Sequence, residues 1–288
     1  MVKFNYDLAF SRNIGWVTKE EQALLKNKRI AIAGMGGVGG EYVITMSRLG
    51  IGKFNIADLD EFEVGNFNRQ AGAFLHTVND EKVKALEKQA LSINPELDIN
   101  VFSKGVNDEN LVEFFKDVDL YLDGLDIFAP EIRQKIFAYC AEHKIPAITT
   151  APIGMGAAIL CFMPGKMTFE KFFGVRGKSK LEQTIRLIAG VSTAMPHFKY
   201  VADSEAIDFA KRKTPSTIMG IKLSAGIIGT TALKILLNRG KIRAAPRGIH
   251  FDAYTHTLRK TWMPWGYKNP IRKLVLSIAK KKMVPKIK

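Results

Sequence analysis

The stretch Arg29-Ile-Ala-Ile-Ala-Gly34-Met-Gly36-Gly37-Val-Gly39 decides the fold. A short apolar run ends in a cluster of glycines and gives way to the mixed segment Glu41 to Leu49. The reading is strand, tight turn, helix, an arrangement in which backbone amides can approach a phosphate while the helix N-terminus supplies positive potential. Taken alone, the turn fits NAD, FAD or ATP, with a purely structural turn as the plain alternative.

Working outward, residues 29 to 150 alternate short apolar runs with longer mixed segments, the pattern of strands joined by helical crossovers into a parallel sheet. Lys53 to Asp58 reads as the second strand, ending in a carboxylate. Asn79 to Ile93 has helical spacing and stops before Pro95. Leu97 to Phe102, Val118 to Asp123 and Pro146 to Thr150 read as strands, with helices over Asn110 to Lys116 and Pro130 to His143. The fold class expected is α/β, a Rossmann-like, doubly wound, mostly parallel sheet that places ligands at the carboxyl ends of its strands. Beyond 151 the signals weaken: a strand over Ala157 to Phe162, a basic loop to about Lys180, two helices to Lys211, an apolar helix from Ile218 to Leu237, a strand over Gly248 to Ala253, and a basic tail.

Asp58 stands 24 positions after Gly34, where a carboxylate commonly takes ribose hydroxyls. The next stretch, Asp58-Leu-Asp60-Glu-Phe-Glu-Val-Gly-Asn66-Phe-Asn-Arg69-Gln70, is followed by Lys82, thirteen positions after Arg69. A dehydrogenase has no chemical use for a fixed arginine and lysine beside the ribose acid, whereas triphosphate chemistry does. Arginine grips a phosphate through a bidentate fork, and lysine neutralises charge on departing pyrophosphate.

These elements, with a late aspartate in Tyr121-Leu-Asp123-Gly-Leu-Asp126, make the chain resemble the ThiF/MoeB and ubiquitin-activating superfamily over residues 10 to 165. The resemblance implies an ATP-dependent adenylyltransferase that activates a carboxylate, the C-terminus of a small carrier protein or peptide, as acyl-AMP. It implies phosphate and nucleotide contacts from Gly34, Gly36, Gly37, Gly39, Asp58, Asp60, Asn66, Arg69, Gln70 and Lys82, and a magnesium ion held by Asp126. Arg12, in Phe10-Ser-Arg12-Asn, matches the family's N-terminal arginine that reaches into the partner subunit's ATP site, so a homodimer is expected. The domains expected are an N-terminal helical arm (1–28), an ATP-binding Rossmann-like domain (29–165) and a basic C-terminal region completing the fold and the dimer or substrate surface (166–288).

The chain departs from the family in two places. Many relatives carry a Cys-x-x-Cys zinc knuckle after a Pro-Gly turn, but Pro164-Gly165 is followed by Phe169-Glu-Lys-Phe172, and phenylalanine offers no ligand, so no zinc is expected. The two cysteines, Cys140 and Cys161, both read as core residues, so no thioester cysteine is evident. Two rival functions stay open: a tRNA threonylcarbamoyl-adenosine dehydratase and an NAD-dependent oxidoreductase.

Among the 288 residues the net charge is +15, and the excess lies late, in Lys166 to Lys180, Lys211 to Lys213, Lys241 to Arg247 and Arg259 to Lys288. Such a field attracts nucleic acid, an acidic protein or an anionic membrane surface without choosing among them. The tail beyond Lys268 sets Ile271, Leu274, Val275 and Ile278 among lysines. Lys222 and Lys234 interrupt the apolar helix, so it is expected to pack in a core or interface rather than span a bilayer. No secretory signal precedes Asp7 and cysteines are few, so a cytoplasmic setting is expected.

Overall fold

In this computed structural model the described residues are 3–191, 195–203 and 214–283. They form two compact units, Met1–Leu125 with Ala225–Ile242, and Asp126–Ser224 with Arg243–Lys288. The charged run Lys211 to Lys213, and the end of the helix expected to reach Lys211, lie outside the described residues.

The first unit begins with α1 (Tyr6–Ala9), a 3-10 turn (Ser11–Asn13) and α2 (Lys19–Asn27). Thr18 starts α2 by a reciprocal cap: its hydroxyl accepts from Glu21 N at 3.1 Å, and the Glu21 carboxylate accepts from Thr18 N at 2.9 Å. Then come β1 (Arg29–Ala33), α3 (Gly37–Leu49), β2 (Lys53–Ala57), α4 (Lys82–Ile93), β3 (Asp98–Phe102), α5 (Leu111–Phe114) and β4 (Leu120–Asp123). The strands run β3-β2-β1-β4, every pair parallel. All residues of β1 and β4 are buried, as expected of parallel strands covered on both faces. Two successive crossovers move the chain from β1 to β2 and β3, and the next returns it to the other side of β1. The strand order therefore reverses between β1 and β4, whose carboxyl ends meet at the Ala33–Asp123 pair.

The second unit contains α6 (Pro130–Glu142), β5 (Ala147–Ile153), β6 (Gly156–Phe162), α7 (Phe169–Phe173), α8 (Lys180–Val191), α9 (Ile218–Leu236, in the first unit from Ala225 on), β7 (Arg247–Asp252), β8 (Thr257–Trp262) and α10 (Pro270–Met283). Its strands form an antiparallel meander, β5-β6-β7-β8. The parallel pairs β3-β2, β2-β1 and β1-β4 expected from the sequence lie in the first unit.

Three local differences from the sequence reading have physical causes. Helix α3 starts at Gly37, four residues before Glu41, because Gly39 and Gly40 let its first turn press on Gly34 and Leu86. Helix α4 starts at Lys82, since Asn79 sits at φ 69°, outside the helical region. The expected basic loop holds α7, capped by Thr168 and burying Phe169, Phe172 and Phe173. Phe169 lies 4.4 Å from Phe137 and 4.6 Å from Phe173 between ring centroids, so the site of the absent zinc knuckle is an aromatic cluster.

Helix α9 is long and apolar enough to cross a membrane by composition. Ala225, Ile228 and Ala232 are buried, while Lys222 is exposed and Lys234 donates to the Lys241 carbonyl at 2.7 Å. A Cβ at Gly229 would stand 3.2 Å from Thr45 and 3.3 Å from Met46, so this stretch of α9 lies directly on α3.

Candidate functional site

The glycine turn divides into two kinds of position. A Cβ on Gly34 would fall 2.3 Å from the Gly124 carbonyl oxygen, and one on Gly39 would fall 1.6 Å from the Gly34 carbonyl oxygen. These two glycines let the turn sit against the end of β4, and Gly34 also takes φ 86°. Gly36 differs: a Cβ there would meet nothing closer than Gln70 Nε2 at 4.0 Å. As the N-cap of α3 it has no side chain to bond the first-turn amides, which an α-helix leaves without partners inside the helix. The turn therefore has a packed side and an approachable side.

Asp58, one residue beyond β2, closes the turn. Its Oδ2 accepts a short hydrogen bond from Met35 N, and its Oδ1 accepts from Asp60 N at 2.8 Å. Burial pushes this carboxyl above the usual carboxylate range, while the two backbone donors and Lys82 oppose the rise.

Lys82 opens α4 with a buried side chain, and its Nζ lies 3.0 Å from Asp60 Oδ2. The Lys82 amide donates to the Asp60 carbonyl at 3.0 Å, so the two residues are clasped through backbone and side chain together. Asn66 is half-buried and its Oδ1 accepts from Glu63 N at 3.1 Å, folding the 3-10 turn Val64–Asn66. Arg69 is half-buried, with Nη1 donating to the Gly65 carbonyl at 3.0 Å and to Asn68 Oδ1 at 2.8 Å. Gln70 is buried beside Gly36, and its Oε1 has no hydrogen-bond partner among the described residues. The Gln70 atom nearest Gly36 is Nε2, a donor of the kind a phosphate oxygen accepts from.

Gly34, Gly36, Gly37, Gly39, Asp58, Asp60, Asn66, Arg69, Gln70 and Lys82 all lie in the first unit. Asp126 is the first residue of the second, two positions past Gly124; it is exposed, and its Oδ1 accepts from Phe128 N at 2.8 Å. Asp123 is buried, with Tyr121 Oη and Leu125 N each 3.3 Å from its Oδ1. Arg12 is exposed on the 3-10 turn before α2. No group of three or more histidine, cysteine or acidic side chains suited to a metal occurs among the described residues. One carboxylate still suffices for magnesium that arrives with its phosphates.

The second unit carries a polar cluster with no sequence signal. Tyr200 donates to Asp252 Oδ2 at 2.6 Å and accepts from Met155 N at 2.8 Å, and its hydroxyl is pushed up to about 12, chiefly by burial. Asp252 also takes the amide and hydroxyl of Thr255, both at 2.8 Å. His250 is buried with neither ring nitrogen partnered among the described residues, and burial lowers its pKa to about 4, with His197 adding to the effect. The antiparallel pairing of Gly156 with Asp252 assembles this group from segments about a hundred residues apart, which no local pattern announces.

A glycine turn where the strand order reverses, with a carboxylate closing it from the neighbouring strand, defines a Rossmann-like α/β protein. Within that class, the ThiF family pattern matches residues 10–270, and the chain belongs to the ThiF family. It is 33% identical over 150 residues to the tRNA threonylcarbamoyladenosine dehydratase of Bacillus subtilis, aligning 52% of this chain with 57% of that protein. It is 23% identical over 199 residues to the sulfur carrier protein ThiS adenylyltransferase of Escherichia coli, covering 62% and 78%. The chain spans little more than half the length of the dehydratases it matches. Among solved structures, Escherichia coli MccB with MccA superposes with a TM-score of 0.63 at 19% identity, covering 84% of this chain and 66% of that one. MccB with ATP gives 0.62 at 18%.

Proposed function

We propose that the chain activates a carboxylate, the C-terminus of a small carrier protein or peptide, by transferring AMP to it from ATP. One observation carries this reading: a single compact unit holds the approachable Gly36 turn together with Asp58, Asn66, Arg69, Gln70 and the Asp60–Lys82 clasp. Membership of the ThiF family supports it, as do relatives named for ThiS adenylylation and for MccB bound to ATP.

In this reaction a carboxylate oxygen attacks the α-phosphorus. The bond from that phosphorus to the oxygen bridging to the β-phosphate breaks, leaving acyl-AMP and pyrophosphate. The α3 amides and Gln70 hold phosphate oxygens, and Asp58 accepts from the ribose hydroxyls. Arg69 turns from its own loop onto the phosphates, which leaves Lys82 to offset charge building on the departing pyrophosphate. Asp126 would hold magnesium, which supplies charge neutralisation between phosphate oxygens. Arg12 would complete the site of the partner subunit in a homodimer. Cys140 and Cys161 are buried, so the acyl group passes to an external nucleophile rather than to a cysteine of this chain.

Pyrophosphate exchange into ATP with candidate carboxyl-terminal peptides tests the reading. Exchange dependent on the peptide, and lost in Arg69→Ala, supports it. Absence of exchange, combined with ATP binding indifferent to Arg69→Ala and Lys82→Ala, would end it. Salt-dependent retention of tRNA, with no peptide-driven exchange, would point instead to a dehydratase.

A further inference from the structure

The strongest unexplained surface belongs to the second unit. Among the described side chains of α10, up to Ile278, the packed face is the one that buries Arg272 and Leu276, with Leu276 against Ile185 and Ala189 of α8. Arg272 pins it, donating from Nη1 to the Phe172 carbonyl at 2.6 Å with its guanidinium 4.6 Å from the Phe172 ring centroid. The opposite face should be polar on a helix that merely docks on its own domain. Instead Ile271, Leu274 and Ile278 recur there at helical spacing and are 70%, 62% and 48% exposed. In the segment leading into the helix, Trp262 and Trp265 are 61% and 70% exposed.

The charge around these residues has one sign. Arg259, Lys260, Lys268 and Lys273 are all exposed, and the sequence continues through Lys280-Lys281-Lys282. Exposed aliphatic rows with tryptophans and lysines match a lipid headgroup boundary, where aliphatic chains enter the acyl region, indoles sit at the interface and lysines reach phosphates. A second copy of this surface would oppose positive charge with positive charge. Nucleic acid would use the cations and stack on the indoles but would gain nothing from Ile271, Leu274 and Ile278.

We infer that α10 and the tryptophan-bearing segment before it form a docking surface for an anionic lipid bilayer. The inference is independent of the adenylyltransferase reading, because none of its residues belongs to the proposed site.

Sedimentation of the whole chain with vesicles of phosphatidylcholine, with or without phosphatidylserine, tests it. Binding is expected only to the anionic vesicles and should weaken at high salt. The triple variant Ile271→Ser, Leu274→Ser, Ile278→Ser should lower vesicle affinity about a hundredfold, since three aliphatic side chains no longer leave water. Lys273→Glu should lower it about tenfold. All substituted side chains are exposed, so an unchanged thermal midpoint and unchanged peptide-driven exchange establish that the variants fold. Equal binding to neutral and anionic vesicles, or no binding, overturns the inference. So does RNA retention unaffected by the triple variant in a chain that ignores vesicles, or a dimer that the triple variant dissociates.

Discussion

The two units differ in which buried polar groups they leave unpartnered. In the first, Arg29 sits at the start of the sheet with Nη1 on Asn55 Oδ1 at 2.9 Å and Nη2 on Asp98, Asp58 takes two backbone amides, and Lys82 lies against Asp60. In the second, His250 keeps two unpartnered ring nitrogens and Arg272 an unpartnered Nε. An unsatisfied buried polar atom costs on the order of 1–3 kcal/mol, and among the described residues both units carry such atoms: Ser47 Oγ, Gln70 Oε1, Glu81 Oε2 and Asn94 Nδ2 in the first, and Gln183 Oε1, His197 Nδ1 and Ser224 Oγ beside His250 and Arg272 in the second. In the first unit Gln70 lies by the glycine turn with its Nε2, a donor, toward Gly36, while its Oε1 has no partner among the described residues.

The contrast inside the glycine turn gives the largest expected effect. Gly39→Ala would drive a Cβ to 1.6 Å from the Gly34 carbonyl, which forces the backbone of the turn away from β4. Loss of about 4 kcal/mol or more is expected, seen as insoluble protein or a thermal midpoint lower by about 10 °C. Gly36→Ala has room and should melt normally while weakening ATP binding, because its methyl group occupies the approach to the α3 amides. If both variants melt alike, the division into a packed and an approachable side is wrong.

Next in size is Arg69→Ala. Its guanidinium bonds its own loop, at Gly65 and Asn68, so folding should survive, whereas peptide-dependent pyrophosphate exchange should fall by about 10²–10³-fold, the usual loss for one charge-stabilising group. A rate within a few-fold of the parent chain would remove Arg69 from the chemistry.

The buried imidazole of the second unit can be read by pH. The His250 pKa falls from about 6.5 unfolded to about 4 folded, so the unfolded chain binds the extra proton first as pH drops. Its stability contribution is intact above pH 6.5, erodes between 6.5 and 4, and by pH 4 has fallen by about 3 kcal/mol at 1.36 kcal/mol per pKa unit. His250→Leu should flatten that part of a urea-denaturation pH profile. An acid limb unchanged by the substitution would mean that His250 reaches a proton acceptor or solvent in solution.

How much of this could be read from the chain alone follows the same divide. Strands β1, β2 and β4 were legible because parallel strands buried on both faces are continuous apolar runs between turns. The glycine turn, Asp58 and the cations from Arg69 to Lys82 were legible because glycine and charge are concentrated there within about fifty residues, as the proposed phosphate site requires. Helix α7 was hidden because its phenylalanines sit among lysines, and the basic composition spoke louder than their spacing. Strand β8 was hidden because its residues are half-buried or exposed throughout, so it lacks the alternation that marks a half-buried strand. The Tyr200–His250–Asp252 cluster exists only through long-range antiparallel pairing. The sequence also named Lys82 as a phosphate ligand without anticipating that Asp60 already holds it.

That clasp gives the smallest effect and the finest distinction. Lys82 is nearly enclosed, with 8% of its side chain exposed, while Asp60 is 58% exposed, so water screens much of the attraction and the pair contributes under about 1 kcal/mol to stability. Asp60→Asn keeps an oxygen acceptor for the ammonium and removes only the charge. The thermal midpoint should move by no more than about 2 °C. Exchange separates two roles for the carboxylate. If Asp60 serves to aim Lys82 at the phosphates, Asp60→Asn should slow exchange far less than Lys82→Ala does, with most of the loss in kcat and little in the KM for ATP. If Asp60 instead competes with the triphosphate for the ammonium, Asp60→Asn should tighten ATP binding at low ionic strength, and that gain should fade as salt screens the competing charge.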